Sequence, residues 1–225
     1  EDPDDIENIS RIYAGIPHLY IADGHHRAAS AVKVGLSRRA ADPGFSGSEE
    51  YNFFLSVLFP SDELKIYGYD RVVTDKNGYT FTSFLDKIKD SFNITRIGAG
   101  PYRPEDKGAF GIYSGGVWYR AQAHTSLMSD DPVSGLDVSI LQDHILAPVL
   151  GIRDPKTDSR IRFVGEIKGA EALEHMADDS GGIAFSMHPT SMEELLRIAD
   201  SGRLMPPKST WFEPKLRSGL FIHRF

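Results

Sequence analysis

One junction constrains this chain more than any other stretch. Leu19 to Ala22 is a short apolar run of strand character that ends in Asp23 and Gly24. A helix of small residues then opens, with His25, His26 and Arg27 in its first turn and Ala28 to Val34 behind them. A strand that feeds a helix through a glycine excludes an all-helical or an all-strand fold and calls for mixed α/β architecture.

The rest of the chain agrees with that class. Asp2 to Ala14 carries Ile6, Ile9, Ile12 and Tyr13 at helical spacing, stopped by Gly15 and Pro17. The small-residue helix closes at Gly35, and Ser37 to Glu50 reads as a polar loop. The apolar density of Tyr51 to Phe59 predicts a buried strand, and Leu64 to Val73 a strand pair or a bent strand. Phe81, Phe84, Leu85, Ile88 and Phe92 set an amphipathic helix over 80–92. Ala109 to Tyr113 and Val117 to Ala123 flank Ser114, Gly115 and Gly116, a hairpin pattern. A helix follows over 136–150, then a strand over 160–164, a helix over 170–177 and a strand over 182–187. Ser191 with Glu194 forms a capping box for a helix that Gly202 ends. The expected fold is mixed α/β: mixed sheets with flanking helices and a hairpin-rich middle. The expected sections are 1–62 around the junction, 63–128 rich in strands, and 129–225, α/β and packed on the first.

Composition narrows the class of function. The 225 residues hold 25 Lys plus Arg against 32 Asp plus Glu, a net charge of −7. A broad nucleic-acid surface needs a basic face, so nucleic acid is not an expected partner. With no cysteine, disulfides, thiolate chemistry and cysteine-built zinc sites are excluded. No apolar run approaches the roughly 20 residues of a membrane span. The localisation expected is cytoplasmic, and self-association into a homo-oligomer is a further expectation. The chain opens at Glu1 inside a predicted helix, which suggests a piece of a longer protein.

The junction carries the chemistry. Where a chain leaves a strand and enters a helix, the first amides lack intrahelical acceptors, and with the positive end of the helix dipole they favour an anion. Gly24 lets a ligand approach the backbone. Arg27 in the first turn can grip a phosphate with two parallel hydrogen bonds. His25 and His26 can donate, accept or transfer a proton near neutral pH. Asp23 can cap the helix, bind a metal carried by a nucleotide, or act as a base. The bland alternative makes Asp23 an N-cap, Gly24 a turn residue and the rest surface. A second alternative is a metal site joining Asp23 and one histidine with Asp143 and His144, although adjacent histidines on a helix point apart.

A second polar cluster lies near the C-terminus. Met205 to Leu220 carries Lys208, Ser209, Thr210, Lys215 and Arg217 among Pro206, Pro207, Trp211 and Phe212. Such a stiff loop, with hydroxyls and an ammonium, can hold a second phosphate or a carboxylate. The alternative is a lead-in to a strand, with the aromatics in the core and the lysines solvated. Asp143 and His144 read as a satisfied structural pair beside the buried stripe of Leu136, Ile140, Leu141, Ile145 and Val149. Asp137 reads as a cap or a dipole partner, and Arg71 as a surface strand residue with an anion contact as the alternative.

Tyr20 to Arg27 (YIADGHHR), Leu136 to Ile152 (LDVSILQDHILAPVLGI) and Met205 to Leu220 (MPPKSTWFEPKLRSGL) together resemble the family called domain of unknown function 1015. Members are typically near twice this length, so the resemblance implies a missing N-terminal half. In that family a His-Arg pair follows the second strand, where this chain has Asp70 and Arg71. Gly24, His26 and Arg27 are also similar to the nucleotide-binding turn of the ParB and sulfiredoxin superfamily. That superfamily includes CTP-binding partition proteins, ATP-using sulfiredoxins, and free-serine kinases that use ADP or ATP. The lack of cysteine excludes sulfiredoxin chemistry. What the likeness implies is a nucleotide or phosphate ligand, with ATP or ADP and Mg²⁺ as cofactors. Gly24, His26, Arg27, Lys208, Ser209 and Thr210 would bind, Asp23, His25 and His26 would be catalytic, and Asp23 would hold the metal. The implied activity is that of a phosphotransferase acting on a small hydroxylated metabolite. The alternative is a non-enzymatic module gated by a nucleotide or metabolite.

Overall fold

The computed structural model describes residues 2–217 and 219–224. They form two compact units, one of residues 1–59 with 215–225 and one of residues 60–214. The class is mixed α/β, as the sequence predicts.

In the first unit, α1 (Pro3–Ala14) is capped by Asp2, whose carboxylate accepts the Asp4 N–H at 2.9 Å. The second helix, α2 (His25–Ala41), is longer than expected. Gly35 does not close it but lies within it, where a Cβ would stand 2.6 Å from the Tyr51 carbonyl oxygen. The glycine is there for close packing and not as a stop. Residues 37–41 are therefore helix. The turns that follow are tied by side chains: Tyr51 donates to Asp42 at 2.8 Å, and Glu49 accepts both the Ser46 hydroxyl and its N–H.

Two predicted strands of this unit are not formed. Leu19 to Ala22 and Phe53 to Phe59 run without a ladder, and Leu19, Ile21, Phe53, Leu55 and Val57 are exposed. A strand needs a neighbouring strand for its backbone groups, and among the described residues neither segment joins a sheet. The apolar stripe of α1 is likewise exposed at Ile6, Ile9 and Ile12.

The second unit contains the buried core. Its main sheet joins β2 (Tyr69–Val73), β3 (Phe92–Gly98), β4 (Ala109–Ser114), β5 (Val117–Ala123), β6 (Ile161–Gly165) and β7 (Ile183–Met187). The order is β3-β5-β4-β7-β2-β6, antiparallel throughout. A two-stranded ladder pairs β1 (Lys65–Tyr67) with β8 (Trp211–Glu213). Side-chain alternation assigns the faces. Val73, Ile112 and Phe185 share one cluster with α3 (Phe81–Ile88), α4 (Asp137–Leu141) and α6 (Met192–Asp200). Val72, Tyr113 and Ala184 share the other with α5 (Ala170–Ser180). At about 25 cal/mol per Å² of apolar area removed from water, these layers supply the main drive for folding.

Several predicted elements are present: the β4–β5 hairpin turns through Gly115 and Gly116, both at positive φ, and the Ser191–Glu194 capping box is complete. The helix from Leu136 has the expected stripe buried, but at Gln142–Leu146 it widens into a π-helical turn. Among the described residues no helix is long and apolar enough to cross a membrane.

Candidate functional site

The Asp23–Arg27 bend lies in the first unit. Gly24 is the N-cap of α2 at φ +85°, a left-handed conformation that glycine adopts without strain. Asp23 does not cap the helix. Its Oδ1 accepts the Gly24 N–H at 2.8 Å, and no side chain caps α2. The first intrahelical bond runs from the Ala28 N–H to the Gly24 carbonyl at 3.0 Å. The amides of His25, His26 and Arg27 have no acceptor among the described residues. Three donors thus remain open at the positive end of a 17-residue helix.

No acid occupies the first turn of α2, whereas Arg27 does. A Cβ on Gly24 would stand 3.1 Å from Arg27 Nη2 and 3.3 Å from Nε, so the guanidinium lies close against the glycine. A cation at a helix N-terminus opposes the dipole. Two like-signed features, the open amides and Arg27, therefore converge on one exposed spot.

Asp23 completes the local charge pattern. Desolvation pushes its carboxyl up, but the Gly24 N–H and the Lys215 ammonium, 3.5 Å from Oδ2, outweigh it and leave the carboxyl below its ordinary value. It is a carboxylate at neutral pH and a correspondingly weak base. Lys215, expected in the C-terminal cluster, is thus beside Asp23. Its distance from the bend in the sequence, 192 residues, hid that proximity.

His25 and His26 occupy the first two positions of α2, both exposed. Among the described residues no group of three or more His, Cys, Asp or Glu could hold a metal, so the histidine-centred alternative with Asp143 and His144 does not form. Nor are Asp143 and His144 a satisfied pair: neither side chain hydrogen bonds to another described residue.

Lys208, Ser209 and Thr210 belong to the second unit. The Ser209 hydroxyl is committed to the Pro206 carbonyl at 2.6 Å, and Ser209 is buried. Lys208, at φ +56°, extends its ammonium over the Tyr69 ring, 5.4 Å from the centroid. Phe212 is core and Trp211 packs on Gly165. The local geometry is that of a strand lead-in. Arg71, expected on the surface, is 3 % exposed, because it faces the helices beside Phe163 and Phe185. Asp137 does not cap α4, although it stands in the first turn, where an acid complements the helix dipole. It is the first residue of α4, buried, and accepts the Gly108 N–H at 2.9 Å.

The family model described as "Protein of unknown function (DUF1015)" matches residues 1–139, from α1 through the bend to the start of α4. The chain belongs to the DUF1015 family. Of the three DUF1015-like motifs, YIADGHHR is inside the match, Leu136 to Ile152 overlaps its end, and Met205 to Leu220 is beyond it. No curated protein matches this DUF1015 chain. Among solved structures, a free serine kinase in complex with AMP overlaps 94% of this chain and 80% of its own at 14% identity, TM-score 0.43. A variant of a free serine kinase in complex with ADP overlaps 88% and 69% at 16% identity, TM-score 0.45. A conserved hypothetical protein from Pyrococcus furiosus overlaps 88% and 71% at 14% identity, TM-score 0.43. Likenesses at these TM-scores establish neither the fold nor the activity.

Proposed function

We propose that the chain binds the phosphates of a nucleotide or of a smaller phosphate ligand at the Asp23–Arg27 bend. The carrying observation is the first turn of α2: open amides, no acid, and Arg27 folded against Gly24. An anion at that spot offsets both the dipole and the guanidinium charge. In this reading the backbone at Gly24 admits the phosphate, and His26 and Arg27 hold it. Its likeness to the ParB and sulfiredoxin turn, carried by Gly24, His26 and Arg27, is part of the proposal.

The finer proposal is phosphoryl transfer from ATP or ADP to a small hydroxylated metabolite. Such transfer needs positioning and charge neutralisation more than covalent chemistry by the protein. Mg²⁺ would arrive on the nucleotide, since among the described residues the first turn of α2 adds no acid to Asp23; Mg²⁺ sites of this kind use one or two carboxylates and phosphate oxygens. The metal would neutralise charge on the phosphates. The lowered Asp23 carboxyl suits steering a cation better than removing a proton. Proton transfer falls to His25 or His26. Lys208, Ser209 and Thr210 are in the other unit, and the proposal does not depend on them.

A non-enzymatic, nucleotide-gated module is the second reading. It is favoured by the partners of Asp23, which are a backbone amide and a lysine and not a histidine, so no closed acid-base pair stands at the bend. Titration of ADP, ATP, CTP and inorganic phosphate, each with Mg²⁺, tests the shared part. Arg27→Ala should weaken the tightest of them by about 1.5–3 kcal/mol, roughly 10- to 150-fold, the scale of a charged hydrogen bond. Unchanged affinity in Arg27→Ala refutes both readings. Nucleotide binding without any phosphorylated product, over a panel of hydroxylated metabolites, selects the second.

A further inference from the structure

The second unit holds a cavity of about 320 Å³ that the bend does not account for. Its walls come from β2, β6, the α4 end with its π-helical turn, the 154–156 loop and the Pro206–Pro207 segment. Arg71 is on the wall, and its burial is near complete. Its Nη1 donates to the Tyr69 carbonyl and its Nη2 to the Lys208 carbonyl at 3.1 Å. The Phe163 ring lies 5.6 Å from the guanidinium carbon. These contacts fix the fork but involve only neutral groups. Among the described residues no carboxylate is within ion-pair distance of Arg71, and its neighbour Asp70 is paired with Arg103 on the opposite face. Burial accordingly lowers the guanidinium to about 10.

A buried cation without a counter-ion is costly unless another charge completes it. Two further wall residues say what that charge comes with. Lys156, exposed, is a second cation on the wall, which also carries the exposed carboxylates of Asp143 and Asp154, so the buried Arg71 end is where an oxyanion is favoured. Gln142 has a buried Oε1 with no hydrogen-bond partner among the described residues, while its Nε2 donates to the Ile152 carbonyl at 2.8 Å. That donor bond fixes which end of the amide is oxygen. The orphan acceptor is on the first residue of the π-helical turn, a helix irregularity frequent at functional sites.

We infer that this cavity is a binding site for a small metabolite with an oxyanion, carboxylate or phosphate, next to a hydrogen-bond donor. Arg71 and Lys156 take the oxyanion, and Gln142 accepts from the neighbouring hydroxyl or ammonium. The planar guanidinium, held flat by two carbonyls and an aromatic ring, is preorganised for two-point recognition. Pro206 and Pro207 make the adjoining wall stiff. The site is independent of the bend, since all its residues belong to the second unit.

The test uses the full chain carrying Arg27→Ala, so that the bend does not contribute. Inorganic phosphate, glycerol phosphate, acetate and lactate are titrated by calorimetry. Saturable millimolar or tighter binding is expected for one class, and the hydroxylated member of it (lactate or glycerol phosphate) should bind at least threefold tighter than its simple counterpart. Arg71→Met should abolish that binding. Should Arg71→Met fail to fold, Arg71→Lys and Lys156→Ala replace it, each expected to weaken binding at least fivefold. Saturation by the carboxylates or by the phosphates decides the ligand class, and either supports the site. No saturable binding by any of the four probes overturns the inference. So does binding that survives Arg71→Met, or Arg71→Lys and Lys156→Ala together, unchanged.

Discussion

Asp137 gives the sharpest quantitative prediction. Its carboxyl is pushed up to about 6 from an ordinary value of 3.8, chiefly by burial, against the opposing pull of the Gly108 N–H. One oxygen accepts that N–H at 2.9 Å, and Oδ2 is buried without a partner among the described residues. A folded value above the unfolded one means the fold prefers the protonated acid. The stability this group contributes is fully present below 3.8 and lost as pH rises through 6. The gap of 6 − 3.8 corresponds to about 3 kcal/mol over the whole window, of which about 2 kcal/mol falls between pH 4.5 and 7.5. Asp137→Asn keeps an acceptor for Gly108 and removes the titration. Urea unfolding at a series of pH values, for both proteins, should show the wild type losing that amount relative to the variant on going from pH 4.5 to 7.5. The comparison is of slopes, so the constant cost of burying an amide NH₂ cancels. The nearby charges of His188, Glu194 and Lys107 are present in both proteins. Parallel pH curves would mean that Asp137 is hydrated or paired, and the reasoning from its orphan oxygen would fail.

Two further predictions concern the sheet and the bend. Asp70 is fully buried and is completed by Arg103, 3.1 Å away, and by the Met187 N–H at 2.9 Å. Arg103→Met should therefore destabilise by about 3–5 kcal/mol in urea unfolding, and adding Asp70→Asn should recover most of that loss. At the bend, Gly24→Ala meets both the positive φ and the Arg27 guanidinium, while Gly24→Asn meets chiefly the second, because asparagine tolerates the left-handed region. Asparagine should thus cost about 1 kcal/mol less stability than alanine. Both should weaken phosphate binding in the same titration, and full binding by Gly24→Asn would remove Arg27's placement from the argument.

Most of the second unit is legible in the sequence, and the exceptions have local causes. The β4–β5 hairpin is marked by paired glycines between alternating runs, and α6 by a complete capping box. The edge strand β3 is hidden because Phe92, its first residue, also extends the apolar stripe of α3. Its own alternation, Phe92 and Ile94 inward against Asn93 and Thr95, is too short to compete with that helical period. The first unit shows the opposite failure. Phe53 to Phe59 has the composition of a strand, but composition cannot supply the partner that a ladder requires.

At the bend the helix start is legible, because Gly24 precedes a run of small residues, while its ligand remains a proposal. A helix start that carries an arginine and two histidines but no acid breaks the usual charge preference, and such breaks in local rules point to function. Arg71 is harder to place from sequence. The cost of burying an unpaired charge favours the outer face for a charged residue in an apolar strand, yet Arg71 is buried. β2 has both of its neighbours, β6 and β7, and so offers no outer edge. Asp70 and Arg71 therefore point to opposite, covered faces. Asp70 meets its cation there in Arg103, and among the described residues Arg71 meets no carboxylate within ion-pair distance. In an interior strand of a sheet with helices on both sides, adjacent opposite charges cannot neutralise each other, so each must find its own partner in its own layer. Where the protein supplies only one of the two, the other layer is the place to look for a ligand.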